Sequence, residues 1–507
     1  LPDMAAAVKR LVSAHTLQEK ITIYGDYDID GLTATTLLLD AFASFGFQDV
    51  DAFIPNRFVE GYGLTVDAVE KIAATGAKLI VTVDCGSLSH IEVTRANELG
   101  VNVIVTDHHN VAEIPPPAVA TINPKRKDHN YPFIDLAGVG VAFKLVQALQ
   151  TKLDGLPPGQ EKWLLDLVAL GTVCDVVTLV DENRLFVHYG LKVLSQTRRP
   201  GLKALMAVAA VVPKKITTRS LGFALGPRMN AAGRLETAQH ALDMLRAHED
   251  VVALEAAQYL DALNAARRSD QDIIFKAAII QAEQYKNDNV LVVSHPDWNH
   301  GIIGIVAAKL LERYKKPSYV LQEMGEETKG SARSYGDFSA ADAIREADDI
   351  VTKGGGHKLA AGVTMPTKNI DAFRKRVNEF YISQKLDNQQ ALLLPKADTS
   401  VELAEVTEEL IEQLAALEPF GNGNPQPILK TDNLVVKHTR RMGAEGQHVK
   451  LELQDKKGEV MQFLAFSAPE HFFVEPGEYV TIWFQPDINE WKGRKTVEGR
   501  LLHLENL

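Results

Sequence analysis

Cysteine is scarce in this 507-residue chain: only Cys85 and Cys174 occur, which excludes a disulfide framework and points to a reducing cytoplasm. No apolar run approaches the roughly 20 residues that cross a bilayer, so no membrane-spanning helix and no membrane partner are expected. The opening residues LPDMAAAVKRLVSAHTLQEK read as an amphipathic helix without the apolar core of a signal peptide. An initiator Met is lacking, which points to residues preceding Leu1. Glycine and proline are absent from Thr237 to Lys286, a stretch read as two helices, the second long enough to connect domains. No internal repeat is present, which argues against a solenoid.

What is there begins with ordinary globular composition, 46% hydrophobic and 24% charged, in a chain long enough for several domains. Three β-branched runs, Ile21–Tyr24, Leu79–Val83 and Asn102–Thr106, each precede a carboxylate: Asp26-Tyr27-Asp28-Ile29-Asp30, Asp84, and Asp107-His108-His109. Val50–Ile54 and Ala118–Ile122 read as further strands, with helices such as Leu32–Phe45 and Glu161–Thr172 between or after them. That alternation predicts a parallel sheet, and such sheets gather ligands at the carboxyl ends of their strands. Many like charges on one edge repel unless cations neutralise them. Hard divalent ions take carboxylate oxygens, and an imidazole among the ligands tilts the choice towards Mn²⁺ over Mg²⁺. A pair of such ions suits phosphoryl transfer. Asp28 and Asp30 would share a face if the strand continues through them.

Acid is missing altogether from Asn183 to Leu235, although the net charge of the chain is −12. The same stretch carries Arg184, Lys192, Arg198, Arg199, Lys203, Lys214, Lys215, Arg219, Arg228 and Arg234. A concentrated basic band is what local phosphate binding requires; a solvated face with chance clustering is the bland alternative. A second α/β unit is expected from Val290 to about Met365. After Pro419-Phe420-Gly421-Asn422-Gly423-Asn424-Pro425 the helical period fades, and Leu434–Lys437, Val449–Leu453, Val460–Ala465 and Tyr479–Phe484 read as strands of a small all-β domain.

The motifs GDYDIDG, TVDCG, TDHH and GTVCDV resemble those of the DHH phosphoesterase superfamily, which hydrolyses phosphodiesters and phosphoanhydrides. The resemblance implies two ions, Mn²⁺ or Mg²⁺, held by Asp28, Asp30, Asp84, His108 and Asp175. It counts Asp28, Asp84 and His109 as catalytic, with His109 near the scissile phosphate and Asp26 close by. One departure is that members with a His ligand four residues before the first Asp have Tyr24 here. KGGGHKLAAG, Lys353–Gly362, resembles the DHHA1 domain that accompanies this catalytic domain. Independently, a glycine-rich turn lets backbone N–H groups approach an anion, as does the helix start in Trp298–Pro317.

LGPRMNAAGRLE, PNRFVEGYGL and LEPFGNGNPQP, in this order with the DHH and DHHA1 motifs, resemble the superfamily's single-strand-specific 5′→3′ DNA exonucleases, which end in an OB-fold. The implied architecture is α/β: a parallel-sheet DHH domain over 1–235 with its basic stretch 183–235, connecting helices over 236–289, DHHA1 over 290–394, and an all-β OB-fold over 395–507. Arg57, Arg234, Ser331 and Arg333 are implied as a pocket for a 5′-phosphate, and Arg228, Asn230, Gly355, Gly356, His357 and Trp491 as further substrate contacts. Trp491, read in a polar turn with Lys492, Arg494 and Lys495, is a candidate base platform; Trp483 is expected in the core. Single-stranded DNA is the implied substrate, single-strand-binding protein and a helicase the implied partners, in recombination and repair, for a monomer. Three alternatives stand: a phosphodiesterase for short oligonucleotides or cyclic dinucleotides, a non-catalytic single-strand-binding scaffold, and a pyrophosphatase or polyphosphatase.

Overall fold

The computed structural model describes residues 1–386, 392–491 and 493–507, with Trp491 described by its backbone alone. The chain divides into two units: Leu1–Lys385 with Gly421–Asn424, and Leu386–Phe420 with Pro425–Leu507.

In the first unit, strands β1 (Ile21–Tyr24), β2 (Val50–Phe53), β3 (Leu79–Val83), β4 (Asn102–Thr106) and β5 (Ala120–Ile122) form a parallel sheet in the order β2-β1-β3-β4-β5. Their Val/Ile-rich runs suit a sheet buried on both faces, and every residue of β1, β3 and β5 is buried. One face packs on helices Ile29–Phe45 and Gly138–Leu149, the other on Val66–Ala74 and His90–Glu98. The register pairs Tyr24 with Thr82 and Val83 with Thr106, so β1, β3 and β4 deliver their following residues to one edge.

Two local expectations need correction. The helix after β1 begins at Ile29, not Leu32, because Asp28 caps it: its Oδ1 accepts from the N–H groups of Asp30 and Gly31 at 2.9 and 3.2 Å. Asp28 and Asp30 therefore do not share a strand face; they are the cap and first turn of a helix. The segment read as a helix over Glu161–Thr172 is instead a short 3₁₀ turn, Gln160–Leu164, running into helix Leu165–Cys174.

Helix Asp250–Gln284, the long connector, has 35 residues and so is roughly 52 Å long at 1.5 Å per residue. The second sheet comprises β6 (Leu291–His295), β7 (Ser318–Met324), β8 (Glu327–Arg333), β9 (Lys353–His357) and β10 (Ala360–Pro366), ordered β6-β7-β8-β10-β9. Only β6–β7 is parallel.

The second unit is the all-β domain. Strands β11 (Thr399–Ser400), β12 (Leu429–Met442), β13 (His448–Gln454), β14 (Val460–Ala465), β15 (Tyr479–Trp491) and β16 (Arg494–Asn506) form one sheet, and pairing of β12 with β15 closes it into a five-strand barrel of the OB type. β16, whose first residues are polar, was not expected from the sequence, and β15 runs seven residues beyond the expected Phe484. Trp491 therefore ends a strand rather than lying in a turn; its side chain and Lys492 are outside the described residues. Lys495 is tied to Glu408. Trp483 is not a core residue: Ile482 and Phe484 fill the barrel, and Trp483 points the other way, half-buried under the Lys430 ammonium 5.1 Å from its ring centroid.

The basic band is not one free cationic face. Arg199 is held between Asp40 and Asp166 and Arg228 pairs with Asp261, while Arg198 stacks on Trp163 at 3.7 Å. Asp166 is buried, so Arg199→Leu strands a charge and should destabilise the first unit by about 3–5 kcal/mol. Denaturant unfolding should show that loss, and Arg199→Leu combined with Asp166→Asn should recover part of it; equal stability of the single variant and the parent would refute the assignment.

Candidate metal centre and anion pocket

The loops after β1, β3 and β4, with the end of helix Leu165–Cys174, bring Asp26, Asp28, Asp30, Asp84, His108 and Asp175 together. Three groups have ligand atoms within 4.8 Å of one another: Asp84, His108 and His109; Asp30, His108 and Asp175; Asp26, Asp28 and Asp84. His108 Nε2 is the hub, 3.1 Å from Asp84 Oδ1, 3.5 Å from Asp175 Oδ2 and 3.8 Å from Asp30 Oδ2. All five ligands implied by the motifs thus converge. Tyr24 does not face them; it is buried, stacks on Phe53 and donates its hydroxyl proton to Gly63 O.

Backbone geometry explains the convergence. Asp30 Oδ2 and Oδ1 accept from Gly138 and Val139 N–H at 2.6 and 2.9 Å, so the helix start at Gly138 holds this carboxylate. A Cβ on Gly138 would lie 2.9 Å from Asp84 Oδ1 and 3.0 Å from Asp30 Oδ2, and one on Gly171 would lie 2.9 Å from Asp30 Oδ1. Gly171 opens the GTVCDV motif, but neither glycine was given a role in the sequence, because a helical glycine gives no signal of what it makes room for. Asp84 sits at φ 63°, a left-handed turn that swings its carboxylate out of the sheet edge.

The electrostatics call for cations. Burial, then Asp28, pushes Asp30 up to about 7; burial, then Asp30, pushes Asp175 up to about 9. Burial and the neighbouring acids hold Asp84 well above the carboxylate range, and burial followed by Asp28 does the same for Asp26. Burial, then His109, lowers His108 to about 3, leaving a neutral imidazole free to ligate. Asp84 Oδ1, Asp26 Oδ1 and His108 Nε2 are buried with no hydrogen-bond partner among the described residues. Orphaned oxygens plus one imidazole fit Mn²⁺ or Mg²⁺, with the nitrogen favouring Mn²⁺.

Asp107, the other strand-end acid, works differently. Its Oδ1 accepts from the His108 and His109 N–H groups at 2.7 and 3.0 Å and lies 2.9 Å from His109 Nδ1, while Oδ2 accepts from Ser87 N–H. Burial opposes it, yet the His109 bond holds Asp107 below the carboxylate range, and Asp107 in turn raises His109 against its own burial. Tyr62, unassigned by the sequence reading, places its hydroxyl 3.0 Å from His109 Nδ1.

A second constellation lies one residue away. Arg57 stacks its guanidinium 4.4 Å over Tyr27, between Asp26 and Asp28, and its Nε has no hydrogen-bond partner among the described residues. Arg234 ends helix Gly226–Leu235 and donates from Nη1 to Gly301 O at 3.0 Å. Ser331 and Arg333 on β8 face the start of helix Ile303–Tyr314, where a Cβ on Gly304 would lie 3.3 Å from Arg333 Nη2 and 3.5 Å from Ser331 Oγ. Burial, then Arg57, Arg267 and Arg333, lowers Arg234 to about 10. Clustered guanidiniums have the forked geometry that suits an anion such as phosphate. Arg267, missed because it lies within the connector, is buried and bonded only to the neutral Asn264 and Gln271 among the described residues.

The remaining expected contacts are spread out. Rows Ser331–Gly362–Gly355 and Arg333–Ala360–His357 cross the second sheet to its exposed edge strand β9, which carries Gly355, Gly356 and His357. Arg228 is engaged by Asp261, with Asn230 half-buried on the same helix.

Comparison with known proteins places this arrangement. The family models match in order: "DHH family, N-terminal domain" over residues 20–172, "DHHA1 domain" over 287–383, and "RecJ OB domain" over 397–503. The class that fold and site define is therefore a DHH protein with DHHA1 and OB domains. "Single-stranded-DNA-specific exonuclease RecJ" of Escherichia coli K12 is 35% identical over 521 residues, covering 98% of this chain and 89% of that protein. The Bacillus subtilis protein of the same name is 38% identical over 98% of this chain, which spans 62% of its length. RecJ of Thermus thermophilus, crystallised with Mn²⁺, superposes with a TM-score of 0.84 at 30% identity, over 100% of this chain and 72% of that one. The chain belongs to the RecJ family.

The raised carboxyls predict a pH dependence for protein stripped of metal. In the folded state Asp30 and Asp175 keep protons that the unfolded chain releases near about 3.9, so their contribution to stability is complete below that pH. It should be lost as the pH rises through about 7 and about 9. Thermal midpoints of EDTA-treated protein should fall across this window, and Mn²⁺ should flatten the fall; a midpoint that rises there would contradict the assignment.

Proposed function

We propose that this protein hydrolyses single-stranded DNA from its 5′ end, releasing 5′-mononucleotides, in recombination and repair. The observation that carries the reading is the adjacency of two sites: a buried carboxylate cluster with orphaned oxygens, and a cluster of arginines centred on Arg57, Arg234 and Arg333. Tyr27 joins them, flanked by Asp26 and Asp28 and covered by Arg57. The names and metal-bound structures of the relatives support the same reading.

Asp28, Asp30, Asp84, His108 and Asp175 would hold two divalent ions. Bound there, the ions supply Lewis acidity that activates water and neutralises phosphate charge. The protein's own groups do the rest. Arg57, Arg234, Ser331 and Arg333 grip the terminal 5′-phosphate, whose extra charge distinguishes a chain end from an internal linkage. Anchored so, the first phosphodiester lies beside the carboxylates. Water attacks phosphorus and releases a proton to solvent, the P–O3′ bond breaks, and the 3′-oxygen takes a proton from protonated His109, which solvent then reprotonates. Asp107 fixes the tautomer of His109 by accepting from Nδ1, which leaves Nε2 for the leaving group, and raises its proton affinity. The glycine row on β9 offers backbone N–H groups to a strand, and the OB unit, with Trp491, offers a stacking platform.

Duplex DNA must be unwound before a single strand is exposed, and exposed strands are otherwise coated, so a helicase and a single-strand-binding protein are the partners this activity calls for. Both cysteines are free thiols, which suits the cytoplasm. Among the described residues no helix is long and apolar enough to cross a membrane.

With Mn²⁺, an oligonucleotide should lose a 5′ label first and a 3′ label last; early loss of the 3′ label alone would overturn the polarity. Asp84→Ala should abolish cleavage while strand binding persists, and normal cleavage by that variant would remove Asp84 from the site. Charge-assisted hydrogen bonds of about 1.5–3 kcal/mol predict that Arg57→Ala with Arg333→Ala cuts the preference for a 5′-phosphate over a 5′-hydroxyl by roughly 10- to 100-fold. Competition between the two oligonucleotides reads that ratio, and an unchanged ratio would take these arginines out of end recognition.

A further inference from the structure

The segment Gly421–Asn424 packs with the first unit although the residues on both sides of it belong to the second. It is a closed turn: Gly421 N–H donates to Asn424 O at 2.9 Å and Asn424 N–H donates back to Gly421 O at 3.2 Å. Both glycines are needed where it lands. A Cβ on Gly421 would lie 2.6 Å from Leu179 Cδ1, and Gly423, at φ +75°, would bring one to 3.2 Å from Thr178 Cβ.

What this turn touches is the exit from the metal site. Asp175 is the C-cap of helix Leu165–Cys174, and the next residue, Val176, stands at φ 62°. Helices commonly end with a left-handed residue at that position, but it is usually glycine. A β-branched side chain there is strongly disfavoured. Burial does not explain the valine, which is 65% exposed. Asn422 does hold it: its side-chain amide donates to Val176 O at 2.9 Å, and its own carbonyl accepts from Leu179 N–H at 2.7 Å. These two bonds bracket Val176–Leu179 and fix the direction in which the chain leaves Asp175.

We propose that Asn422, more than 240 residues away in sequence, is a positioning residue for Asp175: it holds Val176 in the left-handed conformation that keeps the Asp175 carboxylate beside His108. The inference rests on the reading of Asp175 as a metal ligand. It gives the Asn-Gly turn a part in building the metal centre.

The test is Mn²⁺ binding alone, read on the full chain by electron paramagnetic resonance of the free ion. Asn422→Ala should weaken binding of one ion by roughly fivefold to thirtyfold, the range set by the cost of a left-handed non-glycine residue. Val176→Gly removes that cost, so adding it to Asn422→Ala should restore affinity to near the parent value. A bond that merely glued the segment down would not be rescued this way. Parent-like binding by Asn422→Ala, or a double variant as weak as the single one, overturns the proposal. Asp175→Ala separates the two failures. If it loses an ion while Asn422→Ala does not, only this inference falls; if it binds Mn²⁺ unchanged, the ligand reading falls with it.

Discussion

Repulsion among buried carboxylates is the constraint on which the rest of this structure depends. Asp26, Asp30 and Asp84 are almost wholly buried, with Asp28 and Asp175 against them, and no arginine or lysine closes the cluster as a salt bridge among the described residues. A protein interior tolerates such a group only if it stays protonated or if cations occupy the space between the oxygens. The fold spends several devices on keeping the acids close in spite of the repulsion. Two helical glycines leave room for carboxylate oxygens, a helix start donates two N–H groups to Asp30, and Asp84 turns out of the sheet edge in a left-handed conformation.

The same logic with opposite sign governs the arginine cluster. Burial, then the guanidiniums around it, lowers the proton affinity of Arg234, and burial with Arg57 lowers that of Arg333. On the proposed reading, a cluster of buried carboxylates beside a cluster of buried guanidiniums suits a phosphate chain whose end would be held at one site and whose next linkage would reach the other. Substrate and metal together complete a charge balance that the protein leaves open, which is electrostatic preorganisation in a literal sense.

Much of this was legible in the sequence. The three strands that carry the site begin and end where their β-branched runs do, because hydrophobic runs bounded by turn residues leave little freedom in a buried parallel sheet. The clustering of the motif acids followed from the topology rule for strand ends. Other features were not readable. Nothing in the spacing separates Asp84, whose buried Oδ1 has no hydrogen-bond partner among the described residues, from Asp107, which is saturated by N–H donors and bonded to His109. Asp28 and Asp30 do not share a strand face because the Asp28 carboxylate caps a helix that begins at Ile29. The roles of Gly138, Gly171 and Arg267 were invisible because they lie in what these residues approach, and that of Asn422 because its partner is remote. Trp483 was misjudged because the alternation of its strand was read with the wrong face inward, and β16 because a barrel strand with a solvated end looks polar.

Anomalous diffraction at the manganese edge, from crystals grown with Mn²⁺, tests the central claim most directly. The account predicts two peaks roughly 3.5–4 Å apart, ligated by Asp28, Asp30, Asp84, His108 and Asp175. Manganese bound elsewhere, with these side chains free of metal, would contradict it.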